Sequence, residues 1–140
     1  MTFRTLSRIG ALLIAAVLCL GHSDNGGCGG GGDEEHEGVA TGATCPPTDA
    51  PTAQSFGTAF LQTYCLYCHS ASVTGDARHD APTDTNFDTL DEVRMHAMHM
   101  DMHAAAGPIT TNTEMPPAGR LQPTQLEREK LGEWLACGAP

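Results

Sequence analysis

Aromatic residues are scarce in this 140-residue chain, at 5% with a single Trp, and basic residues are scarce beside acids, seven Lys and Arg against 17 Asp and Glu. A surface that acidic is not expected to bind nucleic acid; a basic protein partner, or plain solubility, suits it better. No apolar run reaches the roughly 20 residues that span a bilayer. No stretch alternates apolar and polar residues with period two over a useful length, so strands are not expected. About 90 residues of foldable sequence with so few rings make a small core, at a size where covalent or cofactor support is common.

What is present begins with a leader. "MTFRTLSR" carries Arg4 and Arg8, and "IGALLIAAVLCL" follows it as a short apolar run. A basic start, an apolar stretch too short to span and a small-x-small pair at Gly21 and Ser23 read as a secretory signal over 1–23, excluded from the fold. Its removal takes the seven basic residues to five, still against 17 acids. The mature chain is therefore expected outside the cytoplasm, periplasmic or anchored facing the periplasm, where thiols meet an oxidising compartment. Residues 24–52 are dominated by Gly, Pro, Thr and acids and read as a tether. His36 within it reads as a solvated side chain. Cys28, before a glycine-rich acidic run, is a candidate lipid attachment point and hence a membrane tether, although Asn25 stands where an aliphatic residue is expected. Cys19, preceded by "AVL", fits little better.

The folded part is read as 53–140, with three helical segments. "TAQSFGTAFLQTYCLYCH" spaces Phe56, Phe60, Leu61 and Tyr64 helically and leads into a cysteine pair. Gly57 costs this helix roughly 1 kcal/mol relative to alanine, which suits a position where another helix approaches closely; the alternative is that the helix starts after it. Thr89 with Glu92 makes a capping box for the second segment, with Phe87 placed to pack at its entry. That helix is expected to run through "RMHAMHMDMHAAA" to Gly107–Pro108. Thr124 with Glu127 caps the third, where Leu131, Trp134 and Leu135 form an apolar stripe and Gly138 a stop.

"CLYCH", residues 65–69, carries the chemistry. A redox dithiol of this spacing usually accompanies a βαβ pattern, which is missing. A structural zinc site needs four ligands, and there is no second Cys or His pair to match. Cys-x-x-Cys-His is also the signature of c-type haem attachment. In one helical turn Cys65, Cys68 and His69 share a face. Two thiols there can bond the vinyl groups of one porphyrin while the imidazole reaches its iron.

On these residues the chain resembles the small exported monohaem cytochromes c of the class I type found in bacteria, over about Phe56 to Pro140. "TEMPP" at 113–117 is similar to that family's distal-ligand loop. "GTAFLQTYC" is similar to its first helix, with Leu61 where an aromatic is more usual, and "LEREKLGEWLACG" to its closing helix. The stretch from Ala71 to Pro82 matches no motif of the family. The resemblance implies an all-α fold wrapped around one covalent haem c, held by Cys65 and Cys68 with His69 and Met115 as axial ligands of the iron. It also implies contact between the first and last helices, so that Cys45 and Cys137 can meet as a disulfide. The function implied is electron transfer to redox protein partners, alone or as a haem subunit of a larger oxidoreductase, and not an enzyme in itself.

Met115 has competitors for the sixth ligand position in Met95, Met98, Met100, Met102, His96, His99 and His103. Pro116 and Pro117 stiffen the backbone at Met115 and favour it. Arg78 and Arg120 are candidate partners for haem carboxylates, against the plain reading of each as a solvated cation. Segment 95–103, with four Met and three His in nine positions, carries the alternative function: an exported copper-binding or sensor protein. A core-facing stripe of Met95, Met98, His99 and Met102 is the simpler expectation for it.

Overall fold

The computed structural model describes residues 38–140; the leader, Cys19, Cys28 and His36 lie outside the described residues. Within them the elements are a π-helical turn Ala53–Gly57 continuous with α1 (Thr58–Tyr64), a 3-10 turn Gly75–Arg78, α2 (Leu90–Met95), α3 (Ala97–Ala104) and α4 (Gln125–Ala136). Among the described residues there is no strand, and one isolated antiparallel bridge pairs Ala106 with Thr111.

Three of the helix starts are fixed by capping boxes. Thr89 and Glu92 form the reciprocal capping box at α2, and Thr124 and Glu127 form it at α4. A third box, unread in the sequence, joins Thr52 and Ser55 before the π-helical turn. Each satisfies donors that the first turn leaves without partners. Gly138 ends α4 at φ 82°, a left-handed conformation that costs glycine nothing. Its N–H bonds Leu135 O, and the Ala139 N–H reaches back to Trp134 O, both at 2.9 Å.

The core gathers Phe60 and Leu61 of α1, Phe87, Val93 of α2, Met100 of α3, and Leu131, Trp134 and Leu135 of α4. Gly57 resolves the choice its position posed. The α-helix does start after it, and a Cβ built there would overlap the Trp134 ring. Phe56 meets that indole edge-on, with ring centroids 6.3 Å apart.

Two helix boundaries differ from expectation. The second helix breaks at His96, whose backbone leaves helical geometry at φ −101° and ψ 12°. The His96 ring stands edge-on to Phe87 at 6.0 Å. The break turns α3 relative to the stripe drawn for one helix: only Met100 enters the core, while Met95 and Met98 are 78% and 75% exposed. The core-facing stripe is therefore corrected to a single methionine. Further on, α3 stops at Ala104 and not at Gly107–Pro108, because its last carbonyls are taken by side chains. Arg128 donates to Ala104 O at 2.7 Å and Asn112 to Asp101 O at 2.8 Å, while Ala105 turns extended.

Residues 38–52, assigned to the tether, lie against this domain. Thr41 is fully buried, and its N–H and hydroxyl both bond the Asp101 carboxylate. Cys45 and Cys137 are joined by a disulfide with Cα atoms 4.7 Å apart, closing a separation of 92 residues.

Candidate functional site

Cys65 caps the end of α1, where the Leu61 carbonyl accepts both the Cys65 and the Leu66 N–H. That double acceptance ends the regular helix, so the cysteine pair sits in a separate turn and not in a continuous helix as expected. The turn keeps the needed periodicity: Cys68 N–H and His69 N–H both bond Cys65 O, at 3.2 and 2.9 Å. Cys65, Cys68 and His69 all line one cavity of about 600 Å³, within the roughly 300–1,000 Å³ of sites that enclose cofactor-sized ligands. Met115, Met100, His99 and His103 line it as well, with Phe60, Tyr64 and Phe87 as apolar wall. Cys65, Cys68, His69 and Met115, singled out in the sequence and 50 positions apart at their extremes (115 minus 65), are thus brought to one chamber. His96, Met95, Met98 and Met102 do not line it.

His69 is oriented from behind. Its Nδ1–H donates to Thr85 O at 2.9 Å, which leaves Nε2 as the lone-pair nitrogen. Its ring packs on Phe87 at 4.9 Å. Burial pulls its pKa below the ordinary value, against the Thr85 hydrogen bond that raises it, so the neutral ligating form is favoured. The Cys65 thiol is pushed up to about 12 by burial and by its neighbour Cys68. A dithiol oxidoreductase needs a thiolate, so this environment weighs against that reading. Among the described residues no group of three or more His, Cys, Asp or Glu is placed to hold a metal ion, which weighs against zinc.

Two arginines build the site from beneath: Arg78, read in the sequence as a solvated cation or a haem-carboxylate partner, and Arg128, which the sequence reading did not single out. Arg78 is buried at 4% exposure and donates to the carbonyls of Ser70, Val73, Ala81, Pro82 and Thr85 and to Asn86 Oδ1. Its role as a surface cation or a carboxylate partner is thereby corrected: its donors are spent on the loop after the cysteines, including the carbonyl that orients His69. Arg128, at 3% exposure, donates to Ala104 O, Asn112 O and Met115 O and to Gln122 Oε1, at 2.7–2.9 Å. It ties the Met115 loop to α3 and α4. No local pattern marks either residue, because their acceptors come from loops. Arg120 differs: it lies 3.5 Å over the Tyr67 ring, which stacks in turn on His79, and all three border the cavity.

The donors on the chamber wall are the Cys65 and Cys68 thiols, the imidazoles of His69, His79, His99 and His103, and the thioethers of Met100 and Met115, of which Met115 stands on a proline-stiffened loop. These groups include the two thiols, imidazole and thioether that a covalently held haem would need, and Arg120 is the arginine that borders the cavity. Comparison with protein families, with curated proteins and with solved structures finds no match to this chain.

Proposed function

We propose that this protein is an exported electron carrier that holds one haem c in this cavity, attached through Cys65 and Cys68. Bound there, the haem supplies an iron that accepts and returns one electron. His69 would hold the iron through Nε2; its ring is aimed by the hydrogen bond to Thr85 O, which Arg78 holds in turn. Met115 would hold the iron from the other side through its thioether; its backbone is fixed by its N–H on His103 O at 2.9 Å and by Arg128 on its carbonyl. Phe60, Tyr64 and Phe87 give the chamber an apolar wall. Held by both His69 and Met115, the iron would leave substrate no place to bind, so the partner would be another redox protein. The formal charge of −10 suits a basic docking surface on that partner.

The observation that carries this reading is the meeting of Cys65, Cys68, His69 and Met115 on one cavity of about 600 Å³. The exposure of Met95 and Met98 favours a second reading, Cu(I) capture by surface thioethers. One preparation tests both. Protein exported from cells with c-type haem maturation is expected to carry one haem in mass after acid denaturation and to give a pyridine haemochrome. Bare polypeptide mass, with Cu(I) held tighter than micromolar, would reverse the order of the two readings.

A further inference from the structure

His103 stands on the last turn of α3, with its side chain only 15% exposed, and lines the same cavity as Met115. Its Nδ1–H donates to Glu114 Oε2 at 2.6 Å. A carboxylate on Nδ1 fixes the ring tautomer and orientation and presents Nε2 as the lone-pair nitrogen; metal-ligating histidines are held in this way. The carboxylate comes from the residue next to Met115, and the Met115 N–H closes the loop onto His103 O at 2.9 Å. The thioether and the imidazole are therefore fastened to each other and open on one chamber. They differ in support. Met115 is 39% exposed on a loop, whereas His103 is half-buried on a helix with the His99 ring packed against it at 4.2 Å.

We propose that His103 is a standing second ligand for the iron position assigned to Met115. When the thioether is absent or displaced, His103 Nε2 takes its place, with Glu114 as the positioning residue behind it. The inference rests on the haem reading above and adds a second ligation state to it. Replacing methionine by histidine lowers the reduction potential, so the two states differ in driving force as well as in spectrum.

The test uses full-length exported holoprotein and the spectrum of its ferric form. Met115→Ala is expected to lose the weak near-infrared methionine–iron band yet remain six-coordinate and low-spin. Met115→Ala/His103→Ala is expected to become high-spin and to bind added imidazole, whereas Met115→Ala/His99→Ala stays low-spin. A high-spin Met115→Ala protein that still carries covalent haem overturns the inference and leaves the haem reading standing. Conversion to high-spin by the His99 substitution, and not by the His103 one, also overturns it. Should the double variant not fold, ¹⁵N-histidine labelling of Met115→Ala alone decides: two hyperfine-shifted imidazoles support the inference and one refutes it. Wild-type chain without haem mass would remove the haem reading and this inference together.

Discussion

Replacing Arg128 by methionine isolates what its guanidinium does. Methionine keeps an unbranched stem of similar reach, so the change creates little cavity. What is lost is four hydrogen bonds, to Ala104 O, Asn112 O, Met115 O and Gln122 Oε1. These acceptors are dipoles and not carboxylates, so no unpaired charge is left behind. The Ala104 bond is buried, and its orphaned carbonyl costs about 1–3 kcal/mol; the other three, part-buried, regain water in part and add about 1 kcal/mol. A loss of about 2–4 kcal/mol is expected, which lowers Tm by roughly 10–30 °C in a domain of this size. Arg128→Lys should fall between, because one ammonium keeps the charge but cannot span the same fork of acceptors. Thermal and urea unfolding followed by circular dichroism read the stability. The near-infrared band of the ferric holoprotein reads Met115 separately, and it should weaken while the protein is still folded. A Tm within about 4 °C of wild type would mean that the cage contributes under about 1 kcal/mol. A large fall in Tm with the band intact would show that Arg128 stabilises the fold without positioning Met115.

Two further outcomes depend on the fold alone. Cys45→Ser/Cys137→Ser opens a cross-link across 92 residues, and chain entropy puts the loss at about 4.6 kcal/mol; urea unfolding that shows less than about 1 kcal/mol would refute a stabilising bridge. Asp88 is held below the usual carboxylate range first by the Ser70 hydroxyl and then by the Ala71 N–H, and Glu127 by the hydroxyl and N–H of Thr124. Groups with depressed pKa values contribute stability that is full at neutral pH and is lost as pH falls past their ordinary values and through their folded ones. The gap in urea midpoint between wild type and Ser70→Ala/Thr124→Ala should therefore shrink from pH 7 to pH 3, and a gap constant with pH would contradict the assignment.

The capping boxes at Thr89 and Thr124, the stop at Gly138 and the turn that brings Cys65, Cys68 and His69 together were all readable in the chain. Each is made by residues within five positions of one another, so spacing alone carries the information. The apolar stripe of Leu131, Trp134 and Leu135 was equally local, and Trp134 explained why Gly57 must lack a side chain. The break at His96 had no such signal: no Pro or Gly stands there. It appears only once Phe87 and Val93 are packed, and with it the choice of Met100 over Met95 and Met98 for the core. The end of α3 was likewise set from a distance, by Arg128 24 positions beyond Ala104. Arg78 and Arg128 look in sequence like ordinary surface cations. Their burial follows from carbonyls that loops turn inward, and such acceptors leave no mark on residue type. Local chemistry therefore wrote the helix ends and the cysteine turn into the sequence. The chamber that joins that turn to Met115 and His103, and the guanidinium cages beneath it, came into being only when distant backbone segments were packed together.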